Sequence, residues 1–299
     1  MATPPAQPNG DGMDPLTQFS QAPIEWVETP SARVAVRRFG AGPFLVFVHG
    51  WPLSSVTFRR LLPELAPHFT CLLVDVPGGG DTEWTKATDF SWPGQAASLK
   101  AVLDALGVER YALYGQDSGA MISRQLVLID PRAEKLVMTN TEIPHHRPPY
   151  IPLFRRMMFL PGTNFFMRLL LRSRWFRSSG MGFGGGFHDR SLIEGEFCET
   201  IVRPLIRSGR RMAGHNRFLR GWSWSLLDSM REMHAQIRIP VLMLWGADDP
   251  TFPLARGREM LAQFPAGGAR LVVIPEAKVF VHEERPAAIA REVRQFLLP

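Results

Sequence analysis

Short apolar runs recur along the chain and alternate with segments whose apolar residues have helical spacing. Near-continuous apolar runs of this length predict strands that are buried on both faces of a mostly parallel sheet. The predicted strands are IEWVET (24–29), ARVAVRRF (32–39), FLVFVHG (44–50), TCLLVDV (70–76), RYALYG (110–115), KLVMTNT (135–141), VLMLWG (241–246) and RLVVIP (270–275). The predicted helices cover residues 54–66, 93–106, 120–129, 254–264 and 286–298. We expect an antiparallel first pair and then right-handed crossovers, which make a doubly wound α/β sheet.

The alternation stops between residues 144 and 237, where the spacing is helical and no buried strand is expected. A segment of this length is too long for an ordinary loop. It therefore predicts a helical cap inserted into the core at the carboxyl edge of the sheet, where open α/β sheets bind ligands. The predicted domains are a disordered Pro- and Gly-rich leader (1–22), an α/β core (23–143 and 238–299) and the cap (144–237).

Charge and composition narrow the class of protein. The chain has 299 residues and a net charge of +6, with arginine-rich stretches between residues 145 and 220. Such a surface is either simply solvated or attracts anionic partners, and no nucleic-acid-binding module is present to favour nucleic acid. No apolar run could span a bilayer, so stable membrane insertion is not expected. The two cysteines form no disulfide framework, which favours the cytoplasm.

One short motif carries the candidate chemistry. GQDSG (115–119) lies between a predicted strand and a predicted helix. A sharp turn between these elements needs small residues on both sides of its apex, which is the nucleophile-elbow arrangement described for serine. Here Asp117 is at the apex and Ser118 is one position too late. The backbone N–H of Ser118 is therefore the predicted oxyanion-hole donor.

Three further motifs follow predicted strands, namely HGWP (49–52), DVPGGGD (75–81) and GADDP (246–250). With GQDSG, this ordered set resembles the α/β-hydrolase superfamily over about residues 24–298, in the branch with an aspartate nucleophile. That branch includes epoxide hydrolases and haloalkane or haloacid dehalogenases. The resemblance implies that Asp117 attacks an sp³ carbon and forms an alkyl ester, which water activated by a histidine then hydrolyses. It also implies a second oxyanion N–H from Trp51, with His49 of the same loop contacting the substrate.

The acid that would orient the histidine has two candidate positions. Asp249 ends WGADD, after the cap, where the family usually keeps this acid. Glu142 follows KLVMTNT, and some dehalogenases and epoxide hydrolases that this chain resembles carry a glutamate there. Glu142 could instead be a hinge residue paired with an arginine such as Arg147. The sequence leaves both acids as candidates.

The family's histidine is missing from its usual place. Aligning Phe280, Glu284 and Pro286 with the family's pattern puts Val279 at the histidine position. Valine cannot accept a proton, and loss of a general base typically costs a factor of about 10² to 10⁴. Val279 is either a natural departure or an introduced substitution, and in both cases ester hydrolysis should be impaired. We expect His282, three residues later, to be an exposed loop residue that does not face Asp117.

The substrate branch is less strongly indicated. Epoxide hydrolases that this chain resembles protonate the epoxide oxygen with two cap tyrosines, and Tyr150 is the one tyrosine in the predicted cap. Dehalogenases usually follow the nucleophile with a tryptophan, where this chain has Ser118. Fluoroacetate dehalogenases place arginines just after the nucleophile, and Arg124 is too far along the helix. The tryptophans of the cap are expected to line an aromatic pocket or to pack within the cap: Trp175, Trp222 and Trp224.

The sequence therefore predicts an epoxide-hydrolase-like enzyme that acts on a small, partly apolar molecule through Asp117, with hydrolysis of the ester impaired or altered by Val279. A haloalkane or haloacid dehalogenase is the alternative. A non-hydrolytic biosynthetic enzyme or a ligand-binding pseudoenzyme is the alternative of another class. The eight histidines show no ligand spacing, so neither a metal nor a cofactor is expected. Homodimer formation is compatible with these patterns.

Overall fold

A computed structural model describes residues 13–298, which form one mixed nine-stranded sheet with helices. The strands are β1 (Glu25–Glu28), β2 (Ala32–Phe39), β3 (Phe44–Val48), β4 (Thr70–Asp75), β5 (Glu83–Trp84), β6 (Tyr111–Gln116), β7 (Ala133–Thr139), β8 (Val241–Gly246) and β9 (Ala269–Ile274). Their order is β1-β2-β4-β3-β6-β7-β8-β9, with β5 paired to β2. Pairs that include β2 are antiparallel, and the others are parallel. The predicted α/β fold is confirmed.

Helices fill most connections between these strands, and others precede β1 and follow β9. They are α1 (Pro15–Gln21), α2 (Leu62–Leu65), α3 (Trp92–Ala105), α4 (Ser118–Ile129), α5 (Ile151–Met157), α6 (Thr163–Leu170), α7 (Arg174–Ser178), α8 (Arg203–Arg207), α9 (Gly209–Arg220), α10 (Trp224–Asp228), α11 (Met230–Gln236), α12 (Leu254–Leu261), α13 (Val281–Glu284) and α14 (Pro286–Leu297). Short 3₁₀ turns cover Ser55–Leu61 and Arg190–Glu194, and a π turn covers Cys198–Val202. Over residues 13–298, none of these helices combines the length and the apolar character that crossing a bilayer requires.

Central strands were predictable because both of their faces are buried. Every residue of β4 and of β8 is buried, so each strand is a near-continuous apolar run, with the polar residues Thr70 and Asp75 at the two ends of β4. The two-residue strand β5 was missed because it is too short to show a pattern. The predicted leader is wrong in part, since Pro15–Gln21 is helical and packs Phe19 into the core. Residues 1–12 of that leader lie outside the described residues.

Between β7 and β8 the described residues form helices and turns, and no strand is present in this part of the structure. We call residues 144–237 the cap segment. The three helices α5, α6 and α7 turn buried side chains, among them Phe154, Met167 and Phe176, toward a cavity that also contacts Asp117. The division of the chain into core and cap domains stays a prediction.

Candidate active site

Asp117 lies at the apex of the turn between β6 and α4, with a φ of 50°. A non-glycine residue rarely adopts this conformation, and it is typical of functional turns. The glycines on both sides have a steric role. A Cβ atom on Gly115 would lie 2.5 Å from Ala120 Cα, and one on Gly119 would lie 2.1 Å from the Val48 carbonyl oxygen. The motif therefore lets α4 and β3 approach the apex closely enough to present Asp117.

Asp117, and not Ser118, faces the cavity. The backbone N–H of Trp51 donates to Asp117 Oδ2 at 3.1 Å and to Ser118 Oγ at 2.9 Å. Asp117 lines the cavity, whereas the fully buried Ser118 is not among the lining residues. The N–H groups of Trp51 and Ser118 both favour the charged form of the Asp117 carboxyl group. Two backbone donors thus meet at this carboxyl group, as an oxyanion hole would require.

The pKa of Asp117 is raised well above its ordinary value. Burial is the largest cause, the charge of Glu142 adds to it, and Asp249 contributes less. The backbone N–H groups of Ser118 and Trp51 oppose this shift. Three buried carboxyl groups therefore share one region, and at each of them burial disfavours the charged form.

Glu142 is held by neighbours in the core. Thr141 Oγ1 donates to its Oε2 at 2.8 Å, and the Arg124 guanidinium lies 3.9 Å from the same oxygen. Its Oε1 is buried and has no hydrogen-bond partner among the described residues. Burial raises the pKa of Glu142, and Arg124 opposes that shift. The choice of Arg147 as an alternative partner of Glu142 is wrong, because Arg147 pairs with Asp228 and the arginine beside Glu142 is Arg124.

Asp249 is buried, but both of its carboxylate oxygens accept hydrogen bonds from protein groups. Asn140 Nδ2 donates to Asp249 Oδ2 at 2.7 Å, and the Thr251 N–H donates to Oδ1 at 2.8 Å. Burial nevertheless raises the pKa of Asp249 to about 7. The preceding N–H of Asp248 donates to the Ala277 carbonyl at 3.0 Å. The loop that carries Asp249 therefore packs on the segment that leads to Val279.

Val279 lines the same cavity as Asp117. The buried side chain of Gln116 joins two loops around the elbow, because its Oε1 accepts the Gly50 N–H at 3.2 Å and its Nε2 donates to the Val279 carbonyl at 3.4 Å. Gly186 of the cap segment lies against the valine, since a Cβ atom there would come within 2.8 Å of Val279 Cγ1. An apolar side chain therefore stands at the position predicted for the histidine.

His282 is not an exposed loop residue, so that expectation is wrong. It is fully buried in α13, and its Nε2 lies 2.7 Å from Thr57 Oγ1. The Thr57 hydroxyl donates its one proton to Glu283 Oε1 at 2.9 Å, so it must accept from His282 Nε2–H. His282 is absent from the residues that line the cavity, in agreement with the expectation that it does not face Asp117.

The cavity beside Asp117 is small and mostly apolar. Its volume of about 140 Å³ is close to that of an engineered cavity that admits benzene. Its apolar wall includes Phe154, Met167, Leu171, Phe176, Met212, Trp222, Phe252 and Phe280. Tyr150 lines it while remaining 48% exposed. The site therefore suits a compact molecule with apolar surface.

Three residues that were candidates for substrate contact do not line the cavity. His49 is fully buried behind the elbow, where its Nδ1 bonds the Gly50 carbonyl at 2.9 Å and its Nε2 accepts the Val76 N–H at 3.2 Å.

Trp175 is 80% exposed and does not line the cavity. Trp224 is also absent from the lining, and the guanidinium groups of Arg147 and Arg155 stack on its ring. Of the three cap tryptophans, only Trp222 lines the cavity, stacked on Trp92.

His215 is a cavity residue that the sequence did not reveal. It lies on α9, lines the cavity with Asp117, and is the one histidine in the lining among residues 13–298. Its carbonyl oxygen accepts the Trp51 Nε1–H at 2.9 Å, while its Nδ1 has no partner among the described residues. Burial lowers the pKa of His215 to about 3, so it is neutral at pH 7. To predict this position of His215, one would need to know which face of α9 it lies on and how α9 packs in the cap segment.

Replacing Glu142 with glutamine should shift the pH midpoint for reaction of Asp117 to lower pH. The Glu142 charge disfavours ionisation of Asp117, and only the ionised carboxylate is a nucleophile. The measurement is the rate of covalent labelling of Asp117 by a reactive alkylating substrate across a pH series. Asp249→Asn should shift the midpoint less, and the exposed Glu109→Gln should leave it in place. An unchanged midpoint in Glu142→Gln would refute this electrostatic coupling.

Comparison with known proteins agrees with the fold. Residues 43–286 match the family described as alpha/beta hydrolase fold, and the chain therefore belongs to that family. Haloalkane dehalogenase 2 of Mycobacterium tuberculosis (strain ATCC 25618 / H37Rv) is 26% identical over 273 residues, which cover 90% of this chain and 92% of that protein. The uncharacterized hydrolase YugF of Bacillus subtilis (strain 168) is 25% identical over 257 residues, covering 85% and 89%. The structure of epoxide hydrolase CorEH without ligand superposes with a TM-score of 0.75 at 20% identity, covering 93% of this chain and 99% of that one. That structural likeness shows the fold alone.

Proposed function

We propose that this α/β hydrolase opens a small, partly apolar epoxide through an ester on Asp117, and that Val279 slows hydrolysis of the ester. The observation that carries the proposal is the Asp117 carboxyl group, which lines an apolar cavity while the Trp51 N–H donates to it at 3.1 Å. A carboxylate in this position suits attack on an sp³ carbon, where it displaces a leaving group and forms an ester.

The first step forms one bond and breaks one. A carboxylate oxygen of Asp117 attacks an epoxide carbon, the ring C–O bond breaks, and the epoxide oxygen gains a proton. Two cavity residues of the cap segment can assist that oxygen, namely the Tyr150 hydroxyl and an N–H of the neutral His215. This pair favours the epoxide over the halide, because an alkoxide needs a proton and a halide does not.

The second step needs a base. Water attacks the ester carbonyl carbon, and the N–H groups of Trp51 and Ser118 stabilise the oxyanion. The carbonyl C–O bond to the substrate then breaks, the departing alkoxide takes one water proton and leaves as a diol, and loss of the other proton to a base restores the Asp117 carboxylate. Val279 has no atom that accepts the water proton, so hydrolysis should be slower by about 10² to 10⁴ than with a histidine there. The ester should therefore accumulate.

A dehalogenase is the second candidate, and two observations favour it. Trp222 borders the cavity with an Nε1–H that has no partner among residues 13–298, and such a donor could hold a halide. A haloalkane dehalogenase is also among the relatives that match most of the chain. Against this candidate, Trp51 Nε1 already donates to the His215 carbonyl.

Mass spectrometry of the intact protein distinguishes these reactions. An epoxide should add its whole mass, because ring opening loses no atoms, whereas an alkyl halide should add its mass less that of the hydrogen halide. Peptide mapping should locate the adduct on Asp117, and Asp117→Asn should form none. Ser118→Ala should still form it. An adduct on Ser118 would contradict the proposal, and ligand binding without any adduct would support the pseudoenzyme.

A further inference from the structure

Exposed apolar side chains are concentrated on one part of the cap segment. Large apolar residues that are exposed over residues 13–298 number twelve, and nine of them lie between positions 150 and 181. These nine are Tyr150, Leu153, Phe159, Leu160, Phe165, Phe166, Leu169, Trp175 and Met181. Phe165 is 72% exposed and Trp175 is 80% exposed. Contiguous exposed apolar surface on a protein commonly marks an interaction site.

The same segment is basic and contains no acidic residue. From position 143 to position 188 the chain has seven arginines and neither aspartate nor glutamate. Arg156, Arg172 and Arg174 are exposed and form no salt bridge among the described residues. The surface thus combines aromatic and aliphatic side chains with unpaired cationic ones. That composition is typical of segments that lie in the interface of an anionic membrane.

The helices that carry most of these exposed apolar residues also line the cavity. The helices α5, α6 and α7 turn Phe154, Met167 and Phe176 into the cavity, so their opposite faces are directed away from it. Tyr150 and Met181 both line the cavity and are exposed, which places the mouth of the cavity within this surface. We call the exposed side of residues 149–181 the cap face.

We infer that the cap face docks on an anionic lipid bilayer, with the mouth of the cavity directed toward the lipid. A second copy of the chain is a poorer occupant, because a two-fold contact would set the same acid-free arginine surface against itself. A bilayer offers what the cap face lacks, namely negative headgroups for the arginines and an apolar layer for Phe165 and Trp175. The docking requires no spanning helix.

Vesicle flotation of the full chain tests this inference without depending on enzyme activity. The protein should float with vesicles of phosphatidylcholine mixed with phosphatidylserine, and much less with pure phosphatidylcholine. Replacing the three arginines at positions 156, 172 and 174 with glutamine should lower partitioning by about 100-fold, since each basic residue near such a surface contributes roughly five-fold. Phe165→Asn with Trp175→Asn should lower it by about tenfold or more.

Matched variants distinguish binding through the cap face from binding that depends only on the net charge of the protein. Arg231, Arg238 and Arg258 are likewise exposed and free of salt bridges among the described residues. Their triple glutamine variant removes the same charge but should keep most of the binding, and so should the exposed Ile129→Asn. Equal losses in the two arginine triples would overturn the inference, as would unchanged binding in the Phe165 and Trp175 variant. Absence of flotation would also overturn the inference. If the protein were then found to be a dimer, and Trp175→Asn dissociated that dimer, the cap face would be a surface for self-association.

Discussion

Replacing Val279 with histidine should raise multiple-turnover hydrolysis by about 10² or more, while the rate of adduct formation changes much less. The valine lines the cavity with Asp117, and Gln116 bonds its backbone carbonyl beside the elbow. An imidazole there would supply the base that the ester lacks. Single-turnover and multiple-turnover kinetics on a panel of reactive epoxides measure the two steps separately.

Control variants make this result specific. Val279→Phe adds a ring without a base and should gain no turnover. His215→Gln should lower any residual turnover of the parent without removing the gain from Val279→His, because His215 lies on the cap helix α9 and not in the loop that carries Val279. The gain should fall in combination with either Asp249→Asn or Glu142→Gln, whichever removes the orienting acid. A turnover unchanged by Val279→His would refute the alignment of this position.

Local patterns made the sheet and the elbow predictable. Strands such as β4 are buried on both faces, so they appear in the sequence as nearly continuous apolar runs. The turn at Asp117 is equally local, since Gly115 and Gly119 are the residues that steric contact with Ala120 and Val48 requires. The turn was predictable because its steric requirements concern residues within or next to the motif. The strands were predictable because every residue of a central strand is buried.

Cap contacts and buried polar contacts were not predictable in the same way. Whether His215 or Trp175 faces the cavity depends on how short helices pack together, and the two residues have opposite environments. His282 is buried because Thr57, from a distant part of the chain, accepts its N–H. The residues next to His282 in the sequence give no indication of a contact with Thr57. A histidine in a charged stretch is therefore predicted to be exposed.

Arg124 is the other residue whose loss should have a large effect. It is fully buried, and it donates to the Glu142 carbonyl at 3.3 Å while its guanidinium lies 3.9 Å from the Glu142 carboxylate. Burial lowers the pKa of Arg124 to about 10, so it remains charged at pH 7. Arg124→Met should cost about 3–5 kcal/mol of unfolding free energy, because it leaves a buried carboxylate without its cation. Urea unfolding at pH 7 measures this loss.

The pH dependence of that loss identifies its cause. Burial already raises the pKa of Glu142 in the folded protein, and removal of Arg124 should raise it further. A folded-state pKa above the unfolded value of about 4.3 means that the folded protein binds the proton more tightly, so stability falls as pH rises through that interval. The deficit of Arg124→Met should therefore shrink toward pH 5 and grow toward pH 8. Adding Glu142→Gln should remove this difference in slope and recover part of the stability. A deficit that is the same at both pH values would mean that Arg124 acts through packing and neutral hydrogen bonds, not through the charge of Glu142.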